Sequence, residues 1–129
     1  MRAFRRAASF SAASIVHTMP IKLAFQDEKL RTVCESPVSA KRKYGEAAGR
    51  AIHSRLADLR AADSPLKYVE WGFGKFDETA HDRIVTPIDG GYRMLAAANN
   101  RPPPGELGAL DWAQVTRVKI LSIEPANES

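Results

Sequence analysis

"RIVTPIDGGYRMLAAA", residues Arg83–Ala98, is the stretch on which the fold turns. Two short apolar runs, "RIVTPID" (Arg83–Asp89) and "YRMLAAA", flank a Gly-Gly pair, the pattern of a β-hairpin. Alternation along the second run puts Tyr92, Met94 and Ala96 on one face and Arg93, Leu95 and Ala97 on the other. Pro87 has no N–H to give a neighbouring strand, which points to an edge, a bulge or a frayed end there. Tyr92 reads as a core residue. Leu95 cannot be packed without drawing Arg93 alongside it, so the hairpin poses a question: what does Arg93 face?

Working outward, "VTRVKILSIE" (Val115–Glu124) is a long, β-branched strand and "IKLAF" (Ile21–Phe25) a short one. From Asp27 the apolar residues Leu30, Val33 and Cys34 recur at helical spacing, with Asp27 and Glu28 at the favourable N-terminal end. Pro37 fits the first turn of a second helical stretch, and Gly45 its stop. "EAAGRAIHSRLADLRAADS" is the clearest helix, with Ala48, Ile52, Leu56, Leu59 and Ala62 in one stripe. Together the helical segments predict a hairpin with an apolar inner face. Ser64–Pro65 opens a loop or a single helical turn, and Trp71 and Trp112 read as packing residues. "NNRPPPGELGA" is a rigid loop, and "PANES" a tail. The predicted class is α+β: a small antiparallel sheet with an N-terminal helical hairpin on one face and the other face at least partly open.

Composition narrows the function classes. The 129 residues suit one domain with a single core. The lone cysteine, Cys34, excludes an internal disulfide and reads as a small buried apolar residue. Cys34 and the scattered histidines His17, His53 and His81 show no metal-ligand spacing, so neither a metal nor another cofactor is expected. No apolar run reaches the roughly 20 residues of a membrane span, and a soluble, cytoplasmic protein is expected. Of the 19 Lys and Arg, three (Arg2, Arg5 and Arg6) fall in residues 1–18, leaving 16 against 15 acidic residues. Anion binding therefore requires a local cluster rather than bulk charge. The acid-free segment 1–18 reads as a disordered extension or as sequence upstream of a start at Met19, with a transit peptide as the alternative. Residues 19–129 are then the domain.

The order "IKLAFQDEKLRTVC", "KRKYG", "RLADLRAADS", "GYRM" and "LDWAQVTRVKILSIE" resembles the RelE/ParE toxin superfamily, in particular its HigB-like plasmid-maintenance killer proteins, over about Ile21–Glu124. The resemblance implies the toxin half of a type II toxin–antitoxin pair. Its partner would be a cognate antitoxin, usually a small DNA-binding protein. It also implies one of two activities. RelE- and HigB-type members cut messenger RNA, commonly at the ribosome, whereas ParE-type members poison DNA gyrase. A degenerate member that only binds its antitoxin is a third possibility. Tyr92–Arg93 match the superfamily's Tyr-Arg-Leu pattern. Cleavage by a neighbouring 2′-hydroxyl builds charge on a phosphate, which a fixed guanidinium stabilises.

Arg93 is accordingly the leading catalytic candidate, with Arg83 as a second phosphate contact and His81 as a proton carrier. Lys41, Arg42, Lys43 and Lys75 are candidate RNA contacts. The alternative for Arg93 is an ion pair with Asp77, Glu78 or Asp82. Two superfamily motifs are missing: "FGKFDETAHDR" stands where many RNA-cleaving relatives have His-x-Leu-x-Gly-x-Arg, and "EPANES" where many end on Asp-x-His. Lys75, His81 and Arg83 are the residues available to substitute.

Overall fold

The computed structural model describes residues 21–105 and 110–126. The expected extension over 1–18, residues 106–109 of the proline-rich loop and the last three residues of the tail lie outside these. The chain order is β1 (Lys22–Phe25), α1 (Glu28–Glu35), α2 (Pro37–Tyr44), α3 (Glu46–Ala61), α4 (Pro65–Glu70), β2 (Lys75–Phe76), β3 (Arg83–Ile88), β4 (Tyr92–Ala98), a 3-10 turn (Trp112–Gln114) and β5 (Arg117–Pro125). The class is α+β.

Three of the four α-helices start where the sequence supplies a side-chain acceptor for the first free N–H groups, and α3, which follows Gly45, has none. Asp27 Oδ1 accepts from Leu30 N at 2.9 Å, Ser36 Oγ from Ser39 N at 3.1 Å and Ser64 Oγ from Lys67 N at 3.4 Å. Pro37 and Pro65 occupy first-turn positions. Ser36 ends α1 and begins α2, so the first arm of the helical hairpin is broken in two. Gly45 alone separates α2 from α3, at φ 99°, a backbone setting that a side chain makes costly. The chain can therefore fold back within a single residue.

The sheet has five strands in the order β1-β5-β4-β3-β2. Three of its four pairings are antiparallel, as expected, but β1 runs parallel to β5, with Lys22 opposite Arg117 and Phe25 opposite Ile120. A strand at the N-terminal edge can pair this way because the whole helical layer and three strands intervene, ample length for a crossover. The two-residue β2 was not foreseen. It covers β3 only at Ile84 and Val85, so β3 becomes an edge strand by Pro87, in line with the missing donor. The irregularity lies elsewhere, in β5 between the partners of Leu95 and Ala96.

One sheet face carries the core. Leu30, Cys34, Ile52, Leu56, Leu59 and Tyr68 from the helices pack with Ile84, Ile88, Met94, Ala96, Val118 and Ile120 from the strands. Burial of each large aliphatic chain contributes about 1.5–3 kcal/mol. Tyr68 carries a polar tip into this core and satisfies it on Thr86 Oγ1 at 2.8 Å. Tyr92 packs edge-on against Tyr44 at 5.0 Å, and Trp112 lies 5.0 Å from Phe76, both as expected. Trp71 departs from expectation: it ends α4 against Phe73 but remains 52% exposed.

Candidate nucleic-acid interface

Among the described residues, no helix lies on the opposite face of the sheet. Alternation of burial along β3 and β4 and the strand register place thirteen residues there. Along β1 they are Lys22 and Ala24; on β2, Lys75; on β3, Arg83, Val85 and Pro87. Along β4 they are Arg93, Leu95 and Ala97; on β5, Arg117, Lys119, Ser122 and Glu124. Six are basic and one is acidic. A chain whose overall charge is modest thus gathers a local cationic surface, the arrangement anion binding requires.

Arg93 faces Glu124. The two are directly opposite in register, and Arg93 donates to Glu124 Oε1 from Nε at 3.0 Å and from Nη2 at 2.6 Å. Glu124 Oε2 accepts from Ser122 Oγ at 3.2 Å. This corrects the alternative pairing with Asp77, Glu78 or Asp82. Asp77 is held instead by Thr79, whose backbone N–H and hydroxyl both lie at 2.8 Å and keep its carboxyl below the usual range. Glu78 and Asp82 sit in the β2–β3 connection, beyond the other end of β3. Both bonds from Arg93 go to a single oxygen, which leaves Nη1 and one Nη2 hydrogen unused by Glu124. The pair is about one-third exposed on each side, within reach of a ligand.

The other candidate residues divide. Lys75 and Arg83 share the open face with Arg93, but Arg83 pairs with Ala97, four residues along β4 from Arg93. At about 3.3 Å per residue that is roughly 13 Å along the strand. His81 is exposed in the turn before Arg83 and is farther still. Arg93 and His81 therefore do not form one compact centre. Lys41, Arg42 and Lys43 lie in the last turn of α2, in the helical layer on the far side of the sheet. Lys41 is drawn to Glu46 at 3.4 Å, and its backbone is where α3 crosses: a Cβ on Gly49 would sit 2.7 Å from Lys41 N. Lys43 Nζ is 5.6 Å from the centre of the Tyr44 ring. Arg50 and Lys41 together hold the exposed Glu46 carboxyl below its usual range, Arg50 by the larger effect.

Sequence reasoning missed Lys22, Arg117, Lys119, Ser122 and Glu124. Strand alternation carries the signal for Lys22, Arg117 and Lys119. It misleads for Glu124, because an unbroken period of two would turn that residue to the core face. Among the described residues no group of three or more His, Cys, Asp or Glu is placed to hold a metal ion, and no helix is long and apolar enough to cross a membrane. No family model matches this chain, and comparison with curated proteins and with solved structures finds no similar protein.

Proposed function

We propose that this chain is a RelE/ParE-like, HigB-type toxin that arrests translation by cutting messenger RNA at the ribosome in the cytoplasm. A cognate antitoxin would hold it in check. The observation that carries the reading is Arg93: a guanidinium on the same sheet face as Leu95 and oriented by Glu124, where no described helix lies and lysine and arginine are frequent. Attack of a 2′-hydroxyl on the adjacent phosphorus forms one P–O bond and breaks the bond to the 5′ oxygen. Arg93 offers its unused N–H groups to the charge that gathers on the phosphate. The placement of helices on one face and the working residues on the other also agrees with what the resemblance implies.

The gyrase-poison reading is favoured by one specific observation, the distance of His81 from Arg93, which leaves that corner without a histidine among the described residues. The two readings separate on brief induction of the full chain in a bacterial host, with amino-acid and thymidine incorporation followed in parallel. Messenger cleavage requires protein synthesis to fall first, and Arg93→Ala to abolish that fall at equal expression. If DNA synthesis falls first, the protein is a gyrase poison. If neither falls while an adjacent gene product copurifies, it is a non-catalytic antitoxin-binding member.

A further inference from the structure

The open face combines three properties whose joint meaning goes beyond a general affinity for RNA. Five of its six cations stand in two groups, with Arg93 apart on the central strand β4, held by Glu124. Lys75 and Arg83 lie on β2 and β3, while Lys22, Arg117 and Lys119 lie on β1 and β5. Val85, Leu95 and Ala97 fill the middle of the face, and Ser122 and Glu124 lie farther along β5 from Lys119. None of the thirteen residues is aromatic. The most exposed aromatic side chain among the described residues, Trp71, belongs to the end of α4 in the helical layer.

Sheets that recognise single strands do so by stacking splayed bases on aromatic rings. A face with cations and no rings is suited to phosphates held at fixed spacing, which is a property of a helix. Its size then selects the kind of helix. Five strands about 4.8 Å apart make a face roughly 19 Å across, which can lie over a shallow groove but cannot enter the roughly 8 Å depth of either B-DNA groove. The minor groove of A-form RNA is wide and shallow and is read through phosphates and 2′-hydroxyls. Glu124 fits the same ligand. A carboxylate repels phosphate but accepts a hydrogen bond from a 2′-hydroxyl, and Ser122 Oγ, whose hydrogen goes to Glu124 Oε2, can accept one as well.

We propose that the open sheet face docks on the minor-groove side of an A-form RNA helix. Lys75 and Arg83 take phosphates on one flank, Lys22, Arg117 and Lys119 take them on the other, and Glu124 with Ser122, farther along β5, meets 2′-hydroxyls. The proposal rests on the RNA-directed reading above and names the form of RNA the protein holds.

The test is anisotropy binding of the full chain to three probes: an RNA duplex of about 16 base pairs, the DNA duplex of the same sequence, and one unstructured RNA strand of it. The RNA duplex is expected to bind on the order of tenfold more tightly than either other probe, and to weaken steeply between about 50 and 200 mM salt. Arg83→Glu and Lys119→Glu, one on each flank, should each weaken it by on the order of tenfold. Glu124→Ala should shrink the preference for RNA over DNA. Lys75→Glu, on the short outer strand, serves as the flank variant if either of the others melts early by circular dichroism. A single strand bound as well as the duplex, or flank variants that bind normally, overturns the helix proposal and leaves messenger cleavage standing. Binding to DNA duplex alone overturns it in favour of the gyrase reading. Binding to no probe overturns both the helix proposal and the RNA-directed reading.

Discussion

Arg93 and Glu124 stand opposite each other on neighbouring strands, and the arginine spends two of its donors on one carboxylate oxygen. This holds the guanidinium in place while leaving part of it unused. Lysine cannot reproduce that, because its ammonium is a point charge without the planar fork. Arg93→Lys is therefore expected to lose growth arrest almost as fully as Arg93→Ala. Both proteins should unfold within about 1 kcal/mol of wild type, since a pair this exposed contributes little to stability. Urea denaturation alongside the growth assay checks both halves.

Gly74 is required by space. A Cβ there would lie 2.9 Å from Tyr68 Cε2, 3.0 Å from Thr86 Oγ1 and 3.1 Å from Ile84 Cγ2. All three neighbours belong to buried side chains, so none can swing out of the way. Gly74→Ala is expected to cost about 1–3 kcal/mol through overpacking, read as a lower urea midpoint with an unchanged slope.

The Tyr68–Thr86 hydrogen bond predicts a non-additive pair. Thr86→Val leaves the tyrosine hydroxyl buried without a partner, which costs about 1–3 kcal/mol. Adding Tyr68→Phe removes the orphaned group, so the double variant should be more stable than Thr86→Val alone. A double-mutant cycle by urea unfolding gives the coupling.

Alkaline pH should destabilise the fold in two stages. Burial pushes the Cys34 thiol from 9.0 up to about 11, and burial pushes Tyr68 from 10.0 up to about 12, against the opposing effect of its bond to Thr86. Between the unfolded and folded values only the unfolded chain gives up its proton, so stability falls as pH rises. Stability is full below pH 9, declines from there as Cys34 titrates in the unfolded chain, and declines further above pH 10 through Tyr68. Cys34→Ala should remove the first part of the decline and leave the second, in urea midpoints followed from pH 8 to 12. The same burial predicts that the native thiol resists alkylation until the protein unfolds.

The elements that depend on local chemistry were legible without the structure. The acidic helix start at Asp27, the prolines in first turns, the Gly45 stop and the Gly-Gly hairpin act through neighbours a few residues away, so their pattern survives in the linear chain. The two faces of β4 were legible for the same reason, because pleating alone alternates its side chains. The layered α+β class followed from those elements.

Tertiary structure decided what stands beside Arg93. In β5 the register steps from Ser122 opposite Leu95 to Ile120 opposite Ala96, which leaves Leu121 as the extra residue. That bulge resets the alternation, so Ile123 packs with the core and Glu124 turns to the open face beside Ser122. Without it Glu124 would share the side of Val118 and Ile120. The parallel pairing of β1 with β5 likewise brings Lys22 next to Arg117 across nearly a hundred residues of chain. Periodicity along one strand reports which side of that strand is apolar. Which strands become neighbours, and where one residue is extruded between them, is settled only when all five strands share one core.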